Sequence, residues 1–294
     1  MSPGEVPAIY RIRLPHAALR PFIECYWFLK MTVEPPGYLD ELIFTDGRAD
    51  IVFTYDSPYV RIKGGESADR ALIRASNVDA QRRYPVRIRQ RGRLHLIGVR
   101  FRPGGLSAFV RIPVHELSGY TVGLSDGLGP EGAALEEKLF WAAGRIQAQV
   151  DLLDHFFLSR MAVLPEYRRV MSWVQEMEHH RGLISVRDLS RAAGLSMRSV
   201  DRLFKRVIGL PPKFFARTVR FRHVHKHLLK CPAARWDEIV VSYGYFDQSH
   251  FIKDVTSLTG VDPTAYRAYL ARPREGPPPN HVQFLQDNEE GGEL

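Results

Sequence analysis

The 294-residue sequence predicts an α+β protein: a β-rich N-terminal domain with trailing helices, then an all-α domain of two helix-turn-helix units joined by a linker helix. Three observations predict it. The hydrophobic period changes from two residues to three or four near Pro130, a segment of the second half is duplicated, and Lys and Arg concentrate around the duplicate. The expected boundaries are 1–162 for a sensing or dimerising domain, 163–272 for the helical domain, and a Pro-rich, then acidic tail over 273–294 whose composition reads as disordered.

In the first domain, residues 49–55 (ADIVFTY), 86–91 (VRIRQR) and 94–101 (LHLIGVRF) alternate apolar and polar side chains and are rich in β-branched and aromatic types. They predict strands of an antiparallel sheet or small barrel, separated by turns at 34–37, 45–47 and 63–66. Residues 19–29 contain the run FIECYWFL, which fits a strand or a buried helix equally well. Trp27, Phe44, Phe53, Tyr55 and Phe101 read first as core; lining a ligand cavity with Arg100 or Arg102 is the sharper alternative. Arg87, Arg89, Arg91 and Arg93 fall on one face of a strand by period, a pattern that suits a charge-protected edge or an anionic partner.

Helices begin at Pro130. Leu135, Leu139, Ala142, Ile146, Val150, Leu153 and Phe157 recur at three- and four-residue steps, with Gly144 breaking the stripe into two helices. Such a stripe must be covered, either by the sheet or by a second copy in a homodimer. Pro165 opens the next helix, whose inner face is Tyr167, Val170, Met171, Val174 and Met177, and Gly182 closes it. Ser185, with Asp188 three residues on, caps another.

The duplication pairs LSRAAGLSMRSVDRLFKRVIGLPPKFF (189–215) with IVVSYGYFDQSHFIKDVTSLTGVDPTAY (239–266). Gly194 matches Gly244; after one extra residue in the second turn, Ser196 matches Asp247, Val200 Phe251, Phe204 Val255, Gly209 Gly260, Pro212 Pro263 and Phe215 Tyr266. Each copy supplies a short apolar helix (186–193 and 236–243), a glycine turn, a cap and a second amphipathic helix. In the first, Val200, Leu203, Phe204 and Val207 face inward and leave Arg198, Asp201, Arg202 and Lys205 outside. In the second, Phe251, Val255 and Leu258 leave Gln248, Ser249, His250 and Lys253 outside. Arg forks onto guanine, Gln onto adenine, and Ser, Lys and His reach base edges or phosphates. Residues 212–229 read as a linker helix with Phe215, Val219, Val224 and Leu228 inward, which would set the two reading helices about one DNA turn, ~34 Å, apart.

With these residues in place, the run 184–269 resembles the DNA-binding domain of AraC/XylS-type regulators. The resemblance rests on Ser196, Arg202, Phe204 and Gly209, on Arg220 in the linker, and on Gly244, Ser249, Phe251, Gly260, Pro263, Tyr266 and Arg267. It implies a sequence-specific regulator, activator or repressor, that binds double-stranded DNA, and the lack of a spanning or signal segment reads as cytoplasmic. Positions 198, 201, 202, 249, 250 and 253 would then meet bases, and Lys205, Arg206 and their neighbours phosphate. A small-molecule effector, RNA polymerase and a homodimeric mate are the further partners it brings into view. The sequence departs from the pattern at Tyr245-Phe246, where an aromatic followed by a polar residue is usual, at Val255 in place of Phe, and at His227. LRPFIECYWFLK, TDGRADIVF and GVRFRPGGLSAF resemble the N-terminal domain of a poorly characterised subset of the same family, over roughly 8–160.

Charge agrees. The formal net charge is +8, and residues 165–274 hold 20 Lys/Arg against 10 Asp/Glu, while 275–294 hold five acids and no base. A basic domain of this kind attracts polyanions. No apolar run reaches the length of a spanning helix, and the opening residues lack a signal-peptide core. Two cysteines, Cys25 and Cys231, are too few for a disulfide scaffold or a four-cysteine zinc site. His223 and His227, one turn apart, lack an evident third ligand, so no metal and no cofactor are expected. The rival class is a DNA-repair alkyl-transfer enzyme with an AraC-like module, which would need Cys25 as a reactive thiolate. Hydrolase and phosphate-loop signatures are absent from the sequence, so no catalytic residues are expected.

Overall fold

The structure, a computed structural model, describes residues 9–63 and 70–271. The expected tail and part of the 63–66 turn lie outside the described residues. Ten strands come first: β1 (Ile9–Arg13), β2 (Ile23–Val33), β3 (Leu39–Ile43), β4 (Ala49–Thr54), β5 (Tyr59–Lys63), β6 (Arg70–Ile73), β7 (Asn77–Asp79), β8 (Val86–Gln90), β9 (Gly92–Phe101) and, later, β10 (Thr121–Gly123). They form a six-stranded sheet in the order β1-β2-β9-β4-β7-β10 and a four-stranded sheet in the order β3-β8-β5-β6.

The two sheets face one another, and the larger one also carries helices on its outer face. β2 is therefore covered on both sides. Cys25, Trp27, Leu29 and Met31 pack between the sheets with Leu94 and Leu96 of β9, whereas Tyr26 and Phe28 join the core shared with the helices. A strand buried on both faces shows no polar alternation, which is why FIECYWFL does not declare itself as a strand. The same division splits the aromatic group: Trp27 lies between the sheets, while Phe44, Phe53 and Phe101 belong to the other core, so the five do not line one cavity.

The arginine row is also broken. β8 ends at Gln90 and β9 starts at Gly92, so Arg87 and Arg89 belong to one sheet and Arg93 to the other. Arg89 bonds Asp40 across the β3–β8 pair at 2.9 Å, Arg91 donates to the Tyr38 hydroxyl at 2.9 Å, and Arg93 approaches Asp56 at 3.8 Å. Read by period alone, the row spans a hairpin that switches sheets.

Short helices α1 (Val114–Leu117) and α2 (Leu124–Leu128) lead to α3 (Pro130–Trp141) and α4 (Ile146–Arg160), with left-handed Gly144 (φ 82°) in the break between them. Their apolar stripe is core: Leu135, Leu139, Val150, Leu153 and Phe157 are buried, and the Phe157 ring meets Phe101 of β9 at 5.8 Å and Phe109 at 5.0 Å. Tyr26 donates its hydroxyl proton to Asp154 of α4 at 2.9 Å.

The remaining helices are α5 (Tyr167–His179), α6 (Val186–Ala193), α7 (Met197–Ile208), α8 (Pro212–Lys230), α9 (Trp236–Ser242), α10 (Gln248–Thr259) and α11 (Pro263–Leu270). One buried cluster runs without interruption from Phe53 and Phe101 through Phe44 to Phe215, Phe221 and Tyr266. The joint is specific. The Phe44 ring lies 5.4 Å from Phe221 and 5.1 Å from His225, and a Cβ on Gly47 (φ 79°) would fall 2.6 Å from the Phe215 ring.

Candidate DNA interface

The two halves of the duplication fold alike. α6 and α7 make the first unit and α9 and α10 the second, with α8 between them and α11 after. Each turn uses a left-handed glycine, Gly194 at φ 63° and Gly244 at φ 61°, and each reading helix ends on another, Gly209 at φ 89° and Gly260 at φ 79°. Side chains with a Cβ enter that region only at a cost. The closing bonds match: the Leu195 amide donates to the Ser190 carbonyl at 3.1 Å, and the Tyr245 amide to the Val240 carbonyl at 3.0 Å. Ser196 and Asp247 cap the reading helices, accepting the Ser199 and His250 amides at 3.1 and 2.7 Å.

Inner faces are set as the period predicts. Val200, Phe204 and Val207 are buried in α7, with Leu203 half-buried, and Phe251, Val255 and Leu258 are buried in α10. On the outside of α7, Arg198 and Arg202 are exposed and make no ion pair among the described residues. Asp201 and Lys205 instead bond each other at 2.7 Å, and Arg206 bonds Glu166 beside the start of α5 at 3.1 Å. Gln248, Ser249, His250 and Lys253 are exposed on α10, and His250 Nδ1 accepts the Phe246 amide at 3.3 Å.

Outward apolar side chains stand beside the polar ones. Phe246, in the turn before α10, is 91% exposed, and Met197 at the start of α7 is 52% exposed. The sequence signal for the first is its departure from a polar position. Tyr245 beside it is buried, its ring 5.2 Å from Phe251 and beneath the Arg220 guanidinium at 5.2 Å; burial pushes its phenol pKa up. Arg220 thus braces the second unit. Arg267 does likewise from α11, stacked 3.6 Å over Trp236 and donating to the Ala234 carbonyl.

The far ends of both reading helices rest on the N-terminal half. The Ser118 hydroxyl donates to the Gly209 carbonyl at 2.9 Å, and the Thr45 amide to the Leu258 carbonyl at 3.3 Å. Helix feet are docked while the outward residues stay open.

The other chemical candidates have local explanations. His227 Nδ1 pairs with the Tyr243 hydroxyl at 3.1 Å, and among the described residues no group of three or more His, Cys, Asp or Glu gathers to hold a metal. Cys25 is 1% exposed, and burial pushes its thiol pKa up. No helix among the described residues is long and apolar enough to cross a membrane.

Comparison with known proteins places residues 189–269 in the family described as a helix-turn-helix domain. Residues 189–269 are a helix-turn-helix domain of the AraC type. Residues 11–123, upstream of the AraC-type domain, match a family described only as a domain of unknown function, DUF6597. The chain is 25% identical over 112 residues to the uncharacterized HTH-type transcriptional regulator YisR of Bacillus subtilis, a stretch that covers 37% of this chain and 39% of YisR. Among solved structures it is similar to ToxT from Vibrio cholerae, with a TM-score of 0.43 and 11% identity over 84% of this chain and 98% of that one. A partial likeness to the Fe(II) form of HppE has a TM-score of 0.26 and 13% identity over 32% of this chain and 50% of that one.

Proposed function

We propose that the protein is a sequence-specific transcription regulator whose AraC-type domain reads double-stranded DNA under the control of a small molecule or partner at its N-terminal domain. The observation that carries this reading is the duplicated unit with buried inner faces and open outer ones: Arg198 and Arg202 on α7, and Gln248, Ser249, His250 and Lys253 on α10. Arg202 and Arg198 suit guanine, Gln248 adenine, and the exposed Phe246 and Met197 the methyl group of thymine. Asp201 completes the outer face of α7. Lys205 and Arg206, tethered to carboxylates in the free protein, exchange those partners for phosphate. In this reading the protein acts in the cytoplasm as an activator, contacts RNA polymerase and is not an enzyme. A homodimer would add a second pair of reading helices.

Selection of duplexes from a random pool by the full chain, followed by footprinting, tests the proposal. The expected product is a bipartite motif with its halves about one helical turn apart, one half lost with Arg202→Ala and the other with Ser249→Ala. Enrichment of no motif, with affinity governed by salt alone, would refute it.

A further inference from the structure

We infer that a cavity at the edge of the two sheets, beside the foot of α7, binds a small oxyanion, a carboxylate or phosphate carried on a compact molecule. The cavity measures about 460 Å³ and is lined by Arg61 and Lys63 of β5, by Arg82 and Tyr84, and by residues 118–121. Arg61 and Arg82 are 6% and 9% exposed. Between them stands one carboxylate, Asp79, bonded by Arg61 Nη2 at 2.9 Å and also by Arg82. Arg82 donates in addition to the Thr121 hydroxyl at 3.1 Å. Arg61 keeps two buried nitrogens, Nε and Nη1, with no hydrogen-bond partner, and Lys63 lies 4.3 Å over the Tyr84 ring without a carboxylate among the described residues. Among the described residues the site thus holds two buried guanidiniums and the exposed Lys63 ammonium against one carboxylate.

Burying positive charge with guanidinium donors left unpaired is costly, and an oxyanion drawn into the adjoining cavity would offset that charge. Burial and the neighbouring Arg61 charge pull the Arg82 guanidinium down to about 10, the direction expected of a cation short of counter-charge. The contrast within the same domain is direct: Arg48 binds Glu24 at 2.6 Å with Asp46 3.7 Å away, and Arg100 forks onto Asp50 with both bonds at 3.0 Å, so those buried arginines are matched by carboxylates of the chain itself.

The wall of the cavity is also the seat of the first reading helix. Gly119 accepts the Tyr84 hydroxyl at 2.6 Å, while the adjacent Ser118 holds the Gly209 carbonyl at the end of α7. An anion drawing Arg82 and residues 118–121 together would therefore bear on α7; this coupling, unlike the binding, rests on the regulatory reading above.

The test uses the full chain and two probes, inorganic phosphate and glutarate, titrated by calorimetry at constant ionic strength. Saturable binding of either probe, weakened at least tenfold by Arg61→Gln and also by the exposed Lys63→Gln, is the expected result, with hydrogen-exchange protection at 118–121. Phosphate alone or glutarate alone identifies which oxyanion is held. No saturable binding of either, or binding that both variants leave unchanged, overturns the inference. Circular dichroism guards against an unfolded Arg61→Gln, and Lys63→Gln decides if that variant fails. DNA selection by the same preparation is read separately, so either proposal can fall without the other.

Discussion

At the scale of single residues, freedom from internal partners separates the outward side chains. Arg202 has no ion pair among the described residues, whereas Lys205 is held by Asp201 at 2.7 Å. Arg202→Ala should cost ~1–3 kcal/mol on the selected site and little on scrambled DNA. Fluorescence anisotropy on both duplexes measures this, and equal losses on both would make Arg202 a phosphate contact. Lys205→Ala should weaken all sequences alike and lower the salt slope by about one; an unchanged slope would keep it off the DNA. The outward residues were legible because burial leaves a helical period in the sequence. The contact role of Phe246 was not: the residue showed only as a departure from a polar position, since an apolar residue at a turn carries no period. Neither was the role of Arg220 or Arg267, because each braces a partner distant in sequence.

Among the elements, caps and turns were the most readable features. Ser196, Asp247 and the four glycines act locally, so their residue types alone announce the helix ends. Asp247→Ala should destabilise by about 1 kcal/mol through α10. Faster amide exchange at 248–251, with 197–200 unaffected, would localise the loss; uniform acceleration would contradict it. Elements defined by long-range packing were less readable. β2 concealed its type because both its faces are covered, and Arg91 concealed a hairpin because a two-residue period continues through a change of sheet. The Arg61–Asp79–Arg82 group was invisible for the same reason: β5 and β7 lie in different sheets, and only the fold brings them together.

Across the whole molecule, the continuous core predicts one cooperative unfolding transition for both halves. Phe44 is 4% exposed in the joint, and Phe44→Ala should cost about 3–5 kcal/mol and split the calorimetric transition in two. A single transition at an unchanged temperature would mean that the joint contributes little. Stability should also fall in acid. Burial raises the Glu24 carboxyl pKa, but the charge and hydrogen bond of Arg48 outweigh it and hold the carboxyl at about 2, against an ordinary 4.5. A depressed carboxylate stabilises the fold above its unfolded pKa and loses that contribution as pH drops toward 2, on the order of 3 kcal/mol in all. Glu24→Gln should flatten the acid limb of a denaturation series between pH 4.5 and 2; an unaltered limb would assign it to other carboxylates.

The seam through Phe44 bears on how this chain can be dissected. Cutting near residue 163 to obtain the helical half alone would strip the cover from Phe215, Phe221, His225 and Tyr266 and leave a greasy scar where the sheets had been. A truncated fragment should therefore clump during expression unless polar substitutions resurface that wound, and a negative DNA-binding result from such a fragment would report on its solubility before it reported on its specificity.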